Sequence, residues 1–594
     1  MSRRHAGYHL GKRQEEGILF RPFSLSDRRR RQLICFVQIL TLLTAVWLAR
    51  YALHGQFGFY EDDYSLVVRG MAAPWAEVQS VLVERLTGFA RQGRPLQHSL
   101  VIFLSYLVGR VGGRIPAYWL AYVIVSVNTL LFFNLMRRLN GAKFAWLSAI
   151  GYGLFSADTT QAFLYHAFGL QPALTFFMLA TLAYLKGRRV LAYILGLGAL
   201  MTYETAYLLL LAVPLLERRW DRSWIRRSSL NAAIVLALFG FVGAARGIAG
   251  EGRVLSLGWP DLLTTPITHM LIGPVVSLGS YLLRPVQALS NLDPTMVWWI
   301  AGGAASAVLL LLAGQRWGWP SLSSEVNRES PPVKLPFSRK NGLVRWLDFP
   351  GADRWLQLLL AGLVLVVLAY PLTFTIRAQA ISGRDTRVHL GAVVGAAMVW
   401  GCIWYALLAR FRQGAGRVLA LVVVAGIWAG NLGFGLLVQR DYARAWVLQQ
   451  RLWTSLAEQD LHWSEETTVF LDPAGLEDTT YIGANTWSMP LVAQYLYGFP
   501  ATWNREPQVY RLQLEWKQRS LSNPTEFKAL DTRWEFVVVR WPNVVLFNTQ
   551  DGRVGQRLTR VDLNGQSYAL QPQGSPLASS IPDGFLRDEL VARP

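Results

Sequence analysis

Long apolar runs separated by short charged segments dominate the chain from Leu33 to about residue 438. The long runs hold roughly 20 residues each, which is the helix length needed to cross the hydrocarbon core of a bilayer. Of the 594 residues, 52% are hydrophobic and only 16% are charged, less charge than a soluble protein of this size exposes. Trp and Tyr residues flank many of the runs, as in the aromatic belt of a membrane interface. The sequence therefore predicts an α-helical polytopic membrane protein.

The basic residues are concentrated in the short segments between the apolar runs. Lys and Arg in such loops favour the cytoplasmic side and contact anionic headgroups, so the net charge of +20 indicates membrane lipids, and not nucleic acid, as the partner. The clusters assigned to the cytoplasm lie at residues 28–31, 137–143, 186–189, 217–227, 315–345 and 410–417. No small-residue cleavage pattern follows the first run, so it is predicted to be an uncleaved anchor whose N-terminus is cytoplasmic.

The alternation of sides decides which apolar stretches span the membrane. Two stretches, 96–109 and 116–136, lie between the first span and the cluster at 137–143, and only one of them can cross. The first holds 14 residues, the length of an interfacial helix. We therefore predict about eleven spans and an extracytoplasmic C-terminus. The predicted spans lie near residues 32–54, 116–136, 143–157, 170–186, 190–204, 205–217, 229–248, 295–314, 355–374, 389–410 and 418–438.

Composition divides the chain into three parts. Residues 1–31 form a basic cytoplasmic tail, 32–440 a transmembrane domain, and 441–594 a small extracytoplasmic α/β domain of ordinary domain size. Within the transmembrane domain, 55–115 is an outer loop that carries the interfacial helix, and 315–353, rich in Ser, Pro and charge, is a cytoplasmic linker. An outer loop, 249–294, contains a further apolar helix near 264–283.

The C-terminal part has its own secondary-structure signals. Residues 441–460 have helical periodicity, and 467–472 and 534–541 are typical of strands. Asp551-Gly552 and Asn564-Gly565 are typical of tight turns.

Three consecutive acids, Glu61, Asp62 and Asp63, stand between two tyrosines just after the first span. Consecutive side chains cannot all point the same way, so we expect one or two of them to face a cavity. A carboxylate there can act as general base on an acceptor hydroxyl or amine. The alternative is a solvated acidic loop tip, since structural ion pairs also gather acids.

Further polar residues are predicted to lie on the same outer side. Arg94 precedes the interfacial helix, and His98 is on its first turn. Glu204 is an acid within an apolar run, which indicates function or a hairpin tip that reaches water. The other candidates are Asp158, His166, Arg284, Arg377, Arg384 and Arg387.

An acid motif, a basic residue and an in-plane helix in one outer loop resemble the GT-C superfamily of membrane glycosyltransferases, which includes protein O-mannosyltransferases and the aminoarabinose transferases of lipid A. In that family an essential acid, commonly in an Asp-Glu or Asp-Asp pair, follows the first span. The resemblance implies that Asp62 is the first choice for the catalytic acid and Asp63 the second. It also implies substrate-binding roles for Glu61, Arg94, His98, Asp158, His166, Glu204, Arg284 and Arg384.

The resemblance further implies a reaction. The enzyme would move a sugar from a polyprenyl-phosphate-linked donor to a lipid, glycan or protein acceptor at the outer face of the bacterial cytoplasmic membrane. Asp62 would deprotonate the acceptor in one inverting displacement, while Arg284 and Arg384 would bind the lipid phosphate. Metal use varies in such enzymes, and Asp62 and Asp63 could bind Mg²⁺ or Mn²⁺ through their oxygens.

Two other functions remain open from the sequence. A transporter or flippase of lipid-linked saccharides would predict broken helices and charges near mid-membrane, whereas the acids here are in outer loops and at span ends. A non-catalytic membrane scaffold would use the C-terminal domain for its partners.

Overall fold

The structure is a computed structural model. The residues it describes are 27–87, 93–218, 220–248, 259–291, 293–316, 352–373, 377–411, 413–459, 461–465, 467–485, 488–500, 502–503, 506–512, 526–530, 536–540, 544–563, 566–569, 577–578 and 585–591. The predicted N-terminal tail, apart from 27–31, and the predicted linker 315–353, apart from its two ends, lie outside these residues, as does the predicted turn Asn564-Gly565.

Helices make up most of the described chain. They are α1 (Asp27–Arg50), α2 (Arg69–Ala72), α3 (Trp75–Thr87), α4 (Pro95–Val111), α5 (Arg114–Gly153), α6 (Leu164–Gly169), α7 (Gln171–Leu185), α8 (Arg189–Thr202), α9 (Arg222–Ile248), α10 (Trp259–Ser290), α11 (Pro294–Arg316), α12 (Ala352–Leu368), α13 (Val393–Arg410), α14 (Gly414–Ala457), α15 (Met489–Tyr497) and α16 (Phe585–Leu590). A π-helical turn covers Asp63–Val68, and 3-10 turns cover His54–Gln56, Glu204–Ala206, Leu208–Leu216, Arg384–Ala392 and Pro473–Gly475.

Seven helical stretches of the described chain are long and apolar enough to cross a membrane. They are Gln32–Gln56, Arg114–Gly153, Leu164–Leu185, Arg222–Ile248, Thr264–Ser290, Arg384–Arg410 and Gly414–Ala457. Shorter apolar helices cover Arg189–Thr202, Glu204–Leu216, Pro294–Leu309 and Arg354–Leu368, where four further spans are predicted. The protein is therefore mostly helical with several membrane-spanning helices, while the count of eleven stays a prediction.

Helix α5 contains two of the predicted spans. Asn140 and Gly141 have non-helical backbone angles inside it, and the φ of +84° at Gly141 is one that glycine adopts without strain. The kink separates the stretches predicted at 116–136 and 143–157, so two helices meet at the basic cluster.

Helix α10 is a candidate span by length and composition, although the sequence predicts a helix within an outer loop there. His269 near its start lies 2.9 Å from the hydroxyl of Thr373. Arg284 near its end donates a hydrogen bond to the carbonyl of Ile381. Both partners belong to the segment between α12 and the 384–392 turn, so α10 runs alongside that segment. Its place in an outer loop stays a prediction.

The loops predicted to be cytoplasmic meet at one end of the bundle. Glu217 pairs with Arg189 at 3.2 Å and with Arg227 at 2.9 Å. Arg354, just inside α12, donates to the carbonyls of Glu217 at 3.2 Å and Leu139 at 3.4 Å. Carbonyls at helix ends lack intrahelical partners, and these arginine contacts satisfy them.

Beyond residue 457 the chain forms a small α/β assembly. Its strands are β1 (His462–Trp463), β2 (Thr468–Leu471), β3 (Gln508–Arg511), β4 (Glu526–Leu530), β5 (Phe536–Arg540), β6 (Val544–Gln550), β7 (Arg553–Leu558), β8 (Arg560–Leu563), β9 (Gln566–Ala569) and β10 (Leu577–Ala578). A four-stranded sheet has the order β3-β2-β6-β7, and β1-β10, β4-β5 and β8-β9 form antiparallel pairs. Strand β2 is parallel to both β3 and β6.

The predicted strands at 467–472 and 534–541 coincide with β2 and β5. Asp551 and Gly552, both at positive φ, turn the chain between β6 and β7. The predicted domain boundary at 440 falls inside α14, which runs unbroken into the C-terminal part.

The C-terminal half of α14 holds the acid motif in place. The hydroxyl of Tyr60 donates to the carbonyl of Tyr442 at 2.7 Å. The hydroxyl of Tyr64 donates to the Gln449 amide oxygen at 2.7 Å, and the Gln449 amide nitrogen donates to the carbonyl of Phe59 at 3.0 Å. The two tyrosines that flank the acids therefore fix the motif to one helix.

Close helix packing supports the segment that follows α12. A Cβ at Gly395 would lie 2.5 Å from the backbone nitrogen of Val366 and 2.6 Å from the carbonyl oxygen of Gly362. Neither backbone atom can rotate away, so α12 and α13 approach as closely as they do only because position 395 is glycine.

We expect Gly395→Ala to lower the melting temperature, since overpacking against backbone costs about 1–3 kcal/mol. Gly426→Ala in α14 is the matched control, because nothing lies within 4 Å of a Cβ there. Alanine in place of an uncrowded helical glycine should stabilise by about 0.5–1 kcal/mol. Differential scanning fluorimetry in one detergent measures both variants, and equal melting temperatures would contradict the close packing.

Candidate active site

A sharp backbone turn spreads the three acids of the motif. Glu61 has φ +42°, in the left-handed region that residues other than glycine rarely adopt. Asp62 returns to right-handed helical angles, and Asp63 begins the π-helical turn. Strain at a residue of this kind persists only where the surroundings enforce it, and it is common at functional sites. Here it sends the three carboxylates in different directions.

Asp63 is fully buried and braces two parts of the chain. Its Oδ2 accepts from the backbone N–H of Tyr60 at 3.0 Å, and its Oδ1 accepts from that of Tyr165 at 2.7 Å. Tyr165 is in the first turn of α6, where backbone N–H groups lack helical partners. Burial raises the pKa of Asp63 well above its usual value, against the opposing effect of these two bonds. Both oxygens are engaged, so this geometry favours a structural role.

Asp62 faces a pair of arginines. Its Oδ2 lies 3.3 Å from Nη2 of Arg384 and 3.7 Å from Nη1 of Arg387. The two arginines are three residues apart in a 3-10 turn, which places them on one face. The side chain of Asp62 is 16% exposed and that of Arg384 is 28% exposed, so an approaching molecule can reach both.

Glu61 is the second carboxylate on the same guanidinium. Its Oε2 lies 3.3 Å from Nη1 of Arg384, while its side chain is only 5% exposed. Burial raises its pKa to about 7, opposed by Arg384 and by the backbone N–H of Gly483. At neutral pH, Glu61 is therefore poised between its charged and neutral forms.

A histidine and a tyrosine from the start of α6 complete this part of the site. Nε2 of His166 lies 3.5 Å from Nη1 of Arg387, and its Nδ1 is buried with no hydrogen-bond partner among the residues that the structure describes. The hydroxyl of Tyr165 lies 3.2 Å from Nδ1 of His98 and accepts from the Gln97 amide at 3.4 Å. The structure thus connects His98 and His166 to the arginine pair through α6.

Arg94 and Glu204 bind one another. Nε of Arg94 donates to Oε2 of Glu204 at 2.8 Å, and a second guanidinium nitrogen contacts Oε1. The guanidinium also lies 4.6 Å from the centre of the Tyr203 ring, and Arg246 lies 4.0 Å from Oε2 of Glu204. A two-point ion pair of this kind accounts for both buried charges without a ligand.

Asp158 lies in the buried loop between α5 and α6. Its Oδ1 accepts from the Thr160 backbone N–H at 2.8 Å and from the Thr160 hydroxyl at 2.7 Å. The neighbouring Thr159 hydroxyl lies 2.9 Å from that of Thr386, between the two arginines. Asp158 also lines a cavity together with Arg50, on the side of the loop next to α1 and α14. The loop that carries Asp158 therefore packs, through Thr159, against the turn that carries Arg384 and Arg387.

The predicted arginine Arg284 takes a different place. It donates to Gln287 at 2.6 Å and to the carbonyl of Ile381, and it lies 4.6 Å from the centre of the Phe434 ring. Arg284 therefore positions the chain three residues before Arg384, whereas Arg387 contacts Asp62. Arg377 is exposed.

Sequence reasoning ranked Arg387 below Arg384 and did not select Tyr165 or Gln97. The i, i+3 spacing of the two arginines was the available signal, because it puts both on one face of a helical turn. Tyr165 carries no sequence signal, since its role depends on the contact of its backbone with Asp63.

Asp62 and Asp63 do not fit a divalent cation. Both oxygens of Asp63 already accept backbone N–H groups, and Asp62 faces two guanidinium charges that repel a cation. Within the described part of the chain, no three His, Cys, Asp or Glu residues are grouped as metal ligands.

Comparison with known proteins gives a distant likeness among solved structures. No protein-family model matches the chain, and no curated protein matches it. Among solved structures it is similar to the crystal structure of ArnT from Cupriavidus metallidurans bound to undecaprenyl phosphate, with 14% identity over 75% of this chain and 82% of that chain. The TM-score is 0.29. A likeness that distant establishes neither fold nor activity, so the assignment depends on the site's own geometry.

The brace role of Asp63 predicts a loss of stability. Asp63→Ala would leave two buried backbone N–H groups without acceptors, at a cost of about 1–3 kcal/mol each. Asp62→Ala, whose side chain is partly exposed, should leave the melting temperature within a few degrees of the wild-type value. Thermal unfolding followed by tryptophan fluorescence compares the two. An Asp63→Ala protein as stable as the Asp62→Ala protein would exclude the bracing role of Asp63.

Burial of Glu61 predicts a dependence of stability on pH. Its folded-state pKa of about 7 exceeds the ordinary 4.5, so the folded protein binds the proton more tightly. Its stabilising effect is complete below pH 4.5 and is lost as the pH rises through 7. Glu61→Gln cannot ionise, so it should gain stability over the wild type across this window, on the order of 3 kcal/mol.

Melting temperatures from pH 4.5 to pH 8.5 measure this difference. Glu84→Gln, at a position 67% exposed in its side chain, serves as the control and should follow the wild-type profile. Parallel profiles for Glu61→Gln and the wild type would show that Glu61 does not ionise in this window.

Proposed function

We propose that the protein is a GT-C-type glycosyltransferase that moves a sugar from a polyprenyl-phosphate-linked donor to an acceptor at the outer face of the cytoplasmic membrane. The observation that carries this proposal is the partly exposed carboxylate of Asp62 beside the guanidinium groups of Arg384 and Arg387. The arrangement combines a base with an anion-binding pair in one place. Both are required for displacement of a phosphate leaving group.

The arginine pair suits a lipid-linked phosphate. Guanidinium groups bind phosphate oxygens in pairs and stay charged at all relevant pH values. The turn that carries Arg384 and Arg387 leads directly into α13, so the pair sits where an apolar helix emerges. A polyprenyl chain in the bilayer can therefore place its phosphate at this turn while its tail stays in the hydrocarbon region.

Asp62 acts as the base. The acceptor hydroxyl or amine gives its proton to Asp62 and attacks the anomeric carbon, and the bond from that carbon to the phosphate oxygen breaks. The electron pair leaves with the polyprenyl phosphate, whose charge Arg384 and Arg387 stabilise. A single displacement inverts the anomeric configuration and needs no covalent enzyme intermediate.

The free and donor-bound sites differ in which anionic groups bind the arginines. Without a donor, Glu61 and Asp62 share Arg384. A donor phosphate competes with both carboxylates for the same guanidinium. A phosphate bound to Arg384 and Arg387 then lies beside Asp62, so the base is next to the bond that breaks.

The alternatives make different demands on these residues. A transporter or a scaffold needs no base, so removal of the Asp62 charge should not change the chemical identity of any membrane product. A transferase stops making its product when Asp62 is replaced. The same experiment therefore separates a transferase from both alternatives.

We expect Asp62→Asn to lower transfer by about 10²–10⁴-fold, the usual contribution of a general base. Envelope glycans and lipids are compared by mass spectrometry in cells that express either form and lack the native copy. Binding of undecaprenyl phosphate to the purified protein is measured in parallel, and it should persist in Asp62→Asn but weaken in Arg384→Gln.

Asp221→Asn, at the opposite end of the bundle in the loop before α9, is the control and should leave products unchanged. Unchanged products in Asp62→Asn cells with normal protein levels would exclude Asp62 as the base. Equal binding by Arg384→Gln and the wild type would exclude the phosphate role of Arg384.

A further inference from the structure

A loop of the C-terminal domain, residues 476–485 between β2 and α15, lies beside the candidate active site. The backbone N–H of Gly483 interacts with the Glu61 carboxylate. The ring of Tyr481 packs against that of Phe434, with 5.4 Å between ring centres. The loop therefore forms a wall on the side of Glu61.

The position of the loop in the sheet is one that often binds ligands. Strand β2 pairs with β3 on one side and with β6 on the other, in parallel in both cases. The connections that leave β2 and β6 therefore diverge at the carboxyl end of β2. In open α/β sheets, ligands bind in the crevice at such a point.

Two carboxylates hold the loop in a fixed shape. Asp441 accepts from the backbone N–H of Tyr481 and interacts with the two N–H groups on either side of it. Asp478 accepts from the backbone N–H of Ala484 at 3.1 Å and pairs with Arg511 at 3.4 Å. The residue that follows Ala484 is thus preorganised before any ligand binds.

That residue, Asn485, has an unused side-chain amide. Asn485 is 3% exposed, and within the described part of the chain neither its Oδ1 nor its Nδ2 has a hydrogen-bond partner. An unpaired buried polar group costs about 1–3 kcal/mol, and buried polar groups in proteins are nearly always paired. The missing partner indicates a ligand that supplies it.

The chemistry of the amide limits what that ligand can be. The group offers two N–H donors and one carbonyl acceptor. A phosphate only accepts and would leave Oδ1 unpaired, whereas a sugar hydroxyl both donates and accepts. Only Ala484 separates Asn485 from Gly483, so their Cα atoms are at most about 7 Å apart, and Asn485 is close to the residue that faces Glu61.

We propose that loop 476–485 is a carbohydrate-recognition wall and that the Asn485 amide binds a hydroxyl of the sugar being transferred or of a glycan acceptor. The assignment rests on the proposed function. It gives the C-terminal domain a direct part in substrate choice, in addition to its support of the acid motif.

Asn485→Leu tests the assignment, because leucine keeps the volume and removes the unpaired amide. If the amide serves a ligand, the melting temperature should stay the same or rise while sugar recognition weakens. Affinity is measured for undecaprenyl phosphate and for undecaprenyl phosphates that carry a single hexose or pentose. A lipopolysaccharide and phospholipid extract of a bacterial envelope is titrated as acceptor.

We expect undecaprenyl phosphate to bind Asn485→Leu as it binds the wild type. A roughly tenfold weaker affinity for the sugar-bearing lipids assigns the amide to the donor sugar, and a roughly tenfold higher KM for the extract assigns it to the acceptor; this factor corresponds to one hydrogen bond. Asn231→Leu is the matched control. Asn231 is equally buried but donates to the carbonyl of Leu210 at 2.9 Å, so its replacement should lower stability and leave both affinities unchanged.

The assignment fails if Asn485→Leu alters neither the affinity for sugar-bearing lipids nor the KM for the extract, which would mean that only water pairs with the amide. It also fails if affinity for bare undecaprenyl phosphate falls equally, which would indicate a distorted wall. If the wild-type protein binds no undecaprenyl phosphate and transfers no sugar, the proposed function fails instead.

Discussion

The buried carboxylate of Asp63 is the interaction on which the site depends. By accepting one backbone N–H from Tyr60 and one from Tyr165, it joins the first outer loop to α6. Because the bond from Tyr60 to Asp63 closes the turn that contains Glu61 and Asp62, Asp62 is held toward Arg384 and Arg387. The brace also sets the position of His166, the residue after Tyr165, beside Arg387. The fully buried Asp63 thus positions the partly exposed Asp62.

The lengths of the apolar runs and the charges of the loops predict much of the architecture. The reason is that the bilayer requires helices of one length and biases the charges of their loops. The same reasoning finds the acid motif but cannot rank Asp62 above Asp63 by geometry, since the decisive contact comes from Tyr165, which is 102 residues away. Arg94 and Glu204, 110 residues apart, each resemble a binding residue until they are seen to pair.

The predicted boundary at residue 440 lies within the continuous helix α14, and there is a physical reason for this. Composition changes there because α14 leaves the apolar part of the molecule, but a helix needs no break to do so. Continuity of α14 has a consequence for the site. Tyr442 and Gln449 hold the acid motif from the same helix whose Asp441 holds the loop that carries Asn485. The proposed base and the proposed recognition wall therefore share one rigid support.

Charge balance connects these parts to the proposed reaction. With both acids ionised, Glu61 and Asp62 match the two positive charges of Arg384 and Arg387. In the reaction, the donor phosphate carries about one negative charge and the departing polyprenyl phosphate up to about two, as expected for a phosphate monoester near neutral pH. In the proposed reaction, the acceptor proton would move to Asp62 in the same step and remove one negative charge from the arginine pair.

The total charge around the guanidinium groups therefore stays constant while it shifts from a carboxylate to the leaving group. Such an exchange requires the base and the phosphate to contact the same cations, which is the arrangement that Asp62, Arg384 and Arg387 provide. Glu61, with a pKa near 7, can take up a proton when the added phosphate makes the site too negative. The two adjacent acids would then have separate roles. Asp62 would accept the proton of the acceptor, and Glu61 would adjust the net charge of the site.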